Sequence, residues 1–299
     1  MGLLPMDANI LPPSDDRIFK KILTDETAKP ALIDLLSAIL GRSVLDVVVR
    51  NSEMTVGDTE EKAERLDLNC LIDDNSQVDV EMQSSRIEED AGGEHQNLKG
   101  KGIYYMCDLH SSQPSKGVRR YDRLSRTYQV TFCMYPIFSH KKGYVHSFSL
   151  RNDADNELLS DAVHVIFIEL SKLQEIIKKP VEEMTDLEKW AIFFRYAGEP
   201  DYRETVNKVI ESKEALGMAG NVLMSISQDE RERAVFRSRR MYQTDLESNL
   251  ATAEDRGERR GIETVAKNML LEGEPIDKIT RFTGLNEYEI TTLKNRLLI

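Results

Sequence analysis

The alternation of apolar and polar residues between positions 64 and 84 predicts two adjacent β-strands. The runs 64–72 and 77–84 flank the turn-forming sequence Asp73-Asp74-Asn75-Ser76. Because alternate side chains of a strand point to the same face, the second run has one polar and one apolar face. The polar face carries Asp79, Glu81 and Gln83, and the apolar face carries Val78, Val80 and Met82.

Apolar spacing elsewhere predicts helices on both sides of further strands. A first helix begins near Asp16, capped by Ser14 or Asp15, and a second over 28–40 ends at Gly41. A third helix is predicted over 94–110, and strands are predicted at 44–50, 127–135, 144–150 and 163–170. The order helix, three strands, helix, strand predicts an α/β fold, with a mixed sheet flanked by helices.

Composition divides the chain into four predicted segments. Residues 1–13 are expected to be a flexible leader, 14–170 the α/β core, and 171–250 a helical extension. Residues 251–299 form a small helical C-terminal segment, entered through a charged, hinge-like run at 254–260. Its last two helices have a helix-turn-helix outline, but the second begins with Asn286-Glu287-Tyr288-Glu289, which suits a major groove poorly. We therefore favour a helical bundle that packs or dimerises.

Two carboxylates converge if the predicted strands pair as a hairpin, because Asp67 then lies beside Glu81. Such a pair is repulsive unless a cation neutralises it, and oxygen ligands completed by water suit Mg²⁺ or Mn²⁺. This arrangement favours metal-assisted cleavage of a phosphodiester. The alternative is that these acids only face water, as acids on half-exposed strands commonly do.

Several short motifs occur in an order that resembles a known family. They include 16–23, the helix at 32–41, Asn51-Ser52-Glu53, Leu66-Asp67 and Glu81-Met82-Gln83, followed by Tyr104-Tyr105, Gly117 and Tyr121. Together they resemble the recombination-promoting nuclease and putative transposase family of bacteria, in the PD-(D/E)xK nuclease superfamily. The resemblance implies a restriction-endonuclease-like core of the form αβββαβ, with a helical C-terminal region.

The resemblance also implies roles for individual residues. Asp67 and Glu81 are expected to bind Mg²⁺, with Mn²⁺ or Ca²⁺ as alternatives, and the backbone carbonyl of Met82 is a candidate third ligand. Gln83 stands where the superfamily signature has lysine, so it can orient a water or a phosphate oxygen but cannot neutralise charge. Two further acids are accessory candidates, Glu53 and Asp79.

Net charge bears on the substrate. The formal charge of −12 opposes binding of DNA over the whole surface, yet residues 99–126 contain seven basic residues and two acidic ones. This basic segment is interleaved with tyrosines, and its candidate DNA contacts are Lys99, Lys101, Arg119, Arg120 and Arg123. The alternative is a solvated helix face with tyrosines anchored in the core. Lys20 is a candidate distant phosphate contact, or else a surface lysine.

The cysteines, the histidines and the hydropathy bear on disulfides, metal sites and location in the cell. The three cysteines, Cys70, Cys107 and Cys133, are widely spaced and are expected to be buried free thiols. The five histidines lack metal-ligand spacing. The N-terminus lacks the pattern of a signal peptide, and no apolar run is long enough to span a bilayer. We therefore expect a cytoplasmic protein with no membrane partner.

These inferences combine into one expected function. The chain is predicted to be an Mg²⁺-dependent DNA endonuclease of low sequence specificity, linked to recombination or mobile elements, with double-stranded DNA as the expected partner. A homodimer through the C-terminal helices is also considered. The alternative is a weak or inactive nucleic-acid-binding or interaction module that keeps a nuclease-like fold.

Overall fold

The computed structural model describes residues 2–50, 68–84, 95–113 and 121–297. It divides into two compact units, residues 1–230 and 231–299. The predicted boundary at 250 therefore falls inside the second unit. The first unit holds the sheet and all the described residues of the candidate site.

A six-stranded mixed sheet forms the centre of the first unit. Its strands are β1 (Val47–Val49), β2 (Leu68–Ile72), β3 (Gln77–Gln83), β4 (Thr127–Cys133), β5 (Val145–Arg151) and β6 (Leu158–Glu169). They lie in the order β1-β2-β3-β4-β6-β5. The pairs β3/β4 and β4/β6 are parallel, and the other three pairs are antiparallel. The predicted hairpin of β2 and β3 is confirmed, and β5 lies at one edge of the sheet.

Helices pack on both faces of this sheet, which confirms the predicted α/β fold. The helices of the first unit are α1 (Asp16–Thr24), α2 (Lys29–Leu40), α3 (Gln96–Ser111), α4 (Asp186–Tyr196), α5 (Arg203–Glu211) and α6 (Glu214–Gln228). Helix α1 begins where the sequence predicts, because the Asp15 side chain accepts hydrogen bonds from the backbone N–H groups of Arg17 and Ile18. Helix α2 ends at Gly41, whose φ of 63° suits glycine.

The two faces of the sheet differ in chemistry. On one face, Phe132 of β4 contacts Phe19 of α1 and Phe194 of α4, with ring centroids 5.6 Å and 5.4 Å apart. The other face is covered by α3, whose Leu98 and Met106 join a cluster with β6 residues. This second face also carries the polar side chains of β3. The candidate site therefore lies under α3.

The N-terminal segment differs from its prediction. Residues 1–13 were expected to form a flexible leader, but Leu4, Ile10 and Leu11 are buried. Leu4 exchanges two hydrogen bonds with the Asn207 side chain, and the Leu11 backbone N–H donates to Ser227 Oγ. Burial of three aliphatic side chains stabilises this docked arrangement over a free leader.

The second unit is helical. It contains most of α7 (Glu230–Leu271), together with α8 (Ile276–Thr283) and α9 (Glu287–Leu297). A small core of Ala266, Ile279, Leu285, Ile290 and Leu293 joins the three helices. The turn after α8 uses Gly284 at a φ of 72°, so the helix-turn-helix outline is present. The predicted hinge at 254–260 is wrong, because α7 continues through it as one helix of 42 residues.

Candidate metal and active site

The acidic face of strand β3 is the centre of the candidate site. The strand alternates as predicted, and it is buried from Gln77 to Met82, whereas Gln83 is partly exposed. Asp79 and Glu81 on its polar face are only 6% and 7% exposed. For Glu81 and Asp79, the alternative in which the acids simply face water is therefore wrong. Two buried carboxylates are unfavourable unless charges or hydrogen bonds compensate them, which makes this face unusual among sheet surfaces.

Neighbouring strands add further polar side chains to this face. In the ladder with β2, Asp79 pairs with Asn69. In the parallel ladder with β4, Asp79 pairs with Gln129 and Glu81 pairs with Thr131. Gln129 and Thr131 are buried. The acids thus lie in a row of amide and hydroxyl groups instead of the aliphatic side chains usual in a central strand.

Helix α3 brings a cation to this face. The ammonium of Lys101 forms an ion pair with Glu81 Oε1, and it lies 5.2 Å from the centroid of the Tyr105 ring. The next residue, Gly102, allows the close approach of α3, because a Cβ there would lie 3.3 Å from side-chain atoms of Val165 and Phe167. Lys101 was predicted as a DNA contact, and the structure places it on the acidic face.

The thiols of β2 and β4 are unsuited to act as nucleophiles or metal ligands. Burial raises the pKa of the Cys133 thiol, and the negative charges of Glu169 and Glu81 raise it further. Burial and the charge of Asp79 raise the pKa of Cys70 to about 12. Both thiols are therefore protonated at neutral pH and act as small apolar side chains. The prediction of buried thiols is confirmed for these two and wrong for Cys107, which is exposed on α3.

Of the remaining predicted site residues, some lie on described strands and others lie outside the described residues. Asp67 and Glu53 lie outside the described residues, although Asp67 directly precedes Leu68, which pairs with Val80. The Met82 side chain is buried on the opposite face, so only its backbone carbonyl is relevant to a metal. Gln83 pairs with Cys133 in the ladder with β4, and its carbonyl accepts a hydrogen bond from the Met134 N–H.

The predicted DNA contacts are also dispersed. Lys99 lies over the Phe138 ring at 5.2 Å, and Arg123 is exposed. Arg119 and Arg120 lie outside the described residues. Tyr104 and Tyr121 are exposed, at 67% and 89%, while Tyr128 is buried. The expectation that Lys20 is a surface lysine is wrong, because it is 3% exposed within α1.

The donors on the acidic face fit a hard divalent cation. Carboxylate and amide oxygens are what Mg²⁺ and Mn²⁺ prefer, and the Lys101 ammonium shows that positive charge is accommodated beside Glu81. Within the described ranges, no three His, Cys, Asp or Glu side chains are grouped closely enough to hold a metal ion. Asp67, the other carboxylate that the sequence predicts as a ligand, lies outside those ranges.

Sequence reasoning missed Gln129. A polar residue alternating with Tyr128 and Val130 in a strand predicted to be buried is the signal that could have identified it, because buried polar groups require partners. Thr127 and Thr131 continue the same alternation, and Thr127 Oγ1 lies 2.9 Å from His110 Nδ1 of α3. A polar stripe thus runs along β4 beside the acids of β3.

The mixed sheet flanked by helices, with acids on a central strand, defines a PD-(D/E)XK nuclease-like α/β fold. The family model described as PD-(D/E)XK nuclease family transposase matches residues 13–253, and the chain belongs to this family. The family indicates a nuclease or mobile-element role, and PD-(D/E)XK nucleases generally use divalent metal ions. No curated protein and no solved structure matches the chain significantly. Among the described helices, none has the length and apolar character needed to cross a membrane.

Proposed function

We propose that this protein is an Mg²⁺-dependent DNA endonuclease of low sequence specificity that acts in recombination or mobile-element biology. The observation that carries the proposal is the buried Glu81 carboxylate beside Asp79 on the central strand, in a chain of this family. Replacing buried ionised groups by aliphatic residues of similar volume is often neutral or stabilising, so burial of two acids at the centre of a sheet points to a function. Their retention supports a role in binding a cation.

Asp67 and Glu81 are the proposed metal ligands, together with the backbone carbonyl of Met82. The pairing of Leu68 with Val80 supports this, because each of these residues is adjacent in sequence to one of the two acids. When bound, the divalent ion lowers the pKa of a water and offsets charge that develops on the phosphate. Gln83 orients the attacking water or a phosphate oxygen through its carboxamide. Asp79 and Glu53 remain accessory candidates.

Lys101 is proposed to supply the positive charge that Gln83 cannot. Its ammonium already lies on the acidic face, within contact of Glu81. With Glu81 bound to a divalent ion, the Lys101 ammonium would contact a phosphate oxygen of the substrate. A lysine at that position stabilises the additional negative charge of the transition state. Lys101 is thus assigned both to the catalytic site and to DNA contact.

The proposed partner is double-stranded DNA, bound through the basic segment around α3. Lys99, the exposed Arg123 and the exposed rings of Tyr104 and Tyr121 are the described residues that support this surface. Arg119 and Arg120 are proposed to extend it. With a net charge of −12, we expect weak binding that depends steeply on salt.

A second candidate function is a nucleic-acid-binding module that no longer cleaves. The ion pair of Lys101 with Glu81 favours it, because this pair satisfies the carboxylate without a metal. The two candidates differ in one measurable property. An endonuclease binds a divalent ion through Glu81, whereas a binding module retains DNA affinity in EDTA and gains nothing from the ion.

Nicking of supercoiled plasmid in Mg²⁺ or Mn²⁺ tests the proposal. The wild type is compared with Asp67→Ala, Glu81→Ala and the control Glu175→Ala, which removes a carboxylate that is 83% exposed. We expect nicking by the wild type and the control, and its loss in both site variants and in EDTA. Loss of a metal ligand should lower the rate by at least about 100-fold, as loss of a group that stabilises the transition state does. Nicking that survives in both site variants contradicts the proposal, and absence of nicking in every folded sample favours the binding module.

A further inference from the structure

Gln129 occupies the position on β4 that faces the acids of β3. It pairs with Asp79 in the parallel ladder, two residues before Thr131, which pairs with Glu81. Because side chains paired across a sheet point to the same face, the carboxamide of Gln129 lies on the acidic face. Its partner on the other side is Val165 of β6, which has no polar side-chain atom. Of the two cross-strand neighbours of Gln129, only Asp79 of β3 is therefore polar.

Among the residues that the structure describes, none forms a hydrogen bond with the buried carboxamide of Gln129. The residue is 0% exposed, and neither Oε1 nor Nε2 has a partner within the part of the chain that the structure describes. An unsatisfied buried polar group of this kind costs roughly 1–3 kcal/mol. Native proteins leave few such groups, and those that remain commonly serve a ligand or an ordered water. Leucine would fill the same volume without this cost.

We propose that Gln129 is a positioning residue of the metal site, holding water between the acids of β3 and the bound ion. The inference rests on the proposed function. A carboxamide offers both a donor and an acceptor, so it can fix a water that hydrogen-bonds to Asp79 and completes the hydration of an ion held by Glu81. It does so without adding another negative charge to a face that already carries two acids. Hydrogen-bonding partners of this kind orient metal ligands in many sites.

Isothermal titration of the full chain with Mn²⁺ tests the inference independently of cleavage. Four proteins are compared: the wild type, Glu81→Ala, Gln129→Leu and the control Gln77→Leu. Gln77 is also buried on this face and has an unpartnered Oε1 within the described residues, but it lies four residues before Glu81, about 13 Å along the strand. The control therefore removes an equivalent buried amide far from the proposed ion.

We expect Gln129→Leu to weaken Mn²⁺ binding by about 10-fold, the lower end of the effect of losing such a partner. Gln77→Leu should bind as the wild type does, and Glu81→Ala should not bind. Gln129→Met, which has an unbranched apolar side chain of similar length, should show the same loss if the leucine variant fails to fold. Thermal unfolding of each protein separates a change in stability from a change in ion affinity.

The outcomes separate the inference from the proposed function. Equal Mn²⁺ affinity in the wild type and in a folded Gln129 variant overturns the inference and leaves the endonuclease proposal intact. An equal loss in Gln77→Leu also overturns it, because the effect is then general to buried amides. Absence of Mn²⁺ binding by the wild type removes the proposed function, and the inference with it. Tenfold weaker Mn²⁺ binding that is confined to the Gln129 variants supports the inference and the proposed function together.

Discussion

At the scale of residues, the ion pair between Lys101 and Glu81 is one contact that compensates the charge of the buried Glu81 carboxylate. The Glu81 side chain is 9% exposed, and the side chain of Lys101, which forms the ion pair with it, is 27% exposed. The pair is therefore partly desolvated, and breaking it leaves a carboxylate that is buried without its cation. A divalent ion that binds Glu81 supplies the same compensation. Lys101 and the metal are thus alternative partners of one carboxylate.

The substitution Lys101→Met tests this exchange. In EDTA we expect the variant to lose about 1–2 kcal/mol of unfolding free energy, less than for a fully buried pair because Lys101 is partly exposed. In saturating Mg²⁺ the difference from the wild type should shrink, since the ion replaces the missing charge. Urea unfolding in both solutions measures the two differences.

The control is Lys99→Met, which removes a neighbouring lysine that lies over the Phe138 ring. Its difference from the wild type should be the same with and without Mg²⁺. If the Lys101→Met difference is also insensitive to Mg²⁺, Lys101 and the ion do not share Glu81. That result would also remove the assignment of Lys101 to the catalytic site.

The sequence predicted some residues of this site and missed others for a physical reason. The alternation of Asp79 and Glu81 is a local pattern, and local patterns determine which side chains of a strand share a face. The contact of Lys101 with Glu81 depends on how α3 packs on the sheet, which in turn depends on the absence of a side chain at Gly102. Such tertiary contacts have no local signature. The burial of Gln129 depends in the same way on the cover that α3 provides.

At the scale of elements, the end of β6 is fixed by one buried carboxylate. Glu169 accepts hydrogen bonds from the backbone N–H groups of Ile137 and Phe138, which follow β4. It also contacts His146 of β5 and the Lys172 ammonium. Glu169 thus joins the end of β6 to a neighbouring strand, to the segment after β4 and to the turn that follows β6.

The pH dependence of stability should reveal this junction. Burial by itself raises the pKa of Glu169, but the hydrogen bonds from Lys172, Phe138, His146 and Ile137 outweigh it and hold the pKa below its ordinary value of 4.5. Because the pKa is lower in the folded state, the carboxylate stabilises the fold above its unfolded-state pKa. This stabilisation is lost as the pH falls through the folded-state pKa.

We therefore expect Glu169→Gln to lower the unfolding free energy by about 3 kcal/mol at neutral pH, as loss of a buried charged partner does. The difference from the wild type should narrow as the pH falls below 4.5, the ordinary value for this carboxyl. Urea unfolding across this pH range measures it, with the exposed Glu175→Gln as the control. A difference that stays constant with pH would mean that the charge of Glu169 contributes nothing.

Element boundaries show where reasoning from sequence has physical limits. The run at 254–260 reads as a hinge because it is dense in charge, yet it lies within α7. Glutamate and arginine have high helix propensities, and a helix needs no apolar face to continue through solvent when its charges alternate in sign. The mean charge of a segment therefore predicts exposure better than it predicts a break. Strand β6 likewise begins at Leu158, five residues before its predicted start at 163.

At the scale of the whole molecule, the chain divides into a unit that carries the described site residues and a unit that does not. The unit of residues 1–230 contains the sheet, α3 and the described site residues, whereas the unit of residues 231–299 has its own small apolar core. Several apolar side chains of α7 are exposed, among them Met241, Tyr242, Leu246 and Leu250. These exposed side chains are compatible with the proposal that the C-terminal helices mediate a homodimer.

A chain truncated after Tyr242 tests that division. We expect the fragment to fold, to bind Mn²⁺ and to nick plasmid at a rate close to that of the full chain, because every proposed ligand precedes Tyr242. If the C-terminal helices mediate a homodimer, light scattering should show a dimer for the full chain and a monomer for the fragment. Loss of nicking with retained Mn²⁺ binding would mean that the C-terminal unit contributes to DNA binding. Loss of both in a folded fragment would show that the metal site depends on residues beyond the first unit, which contradicts the division.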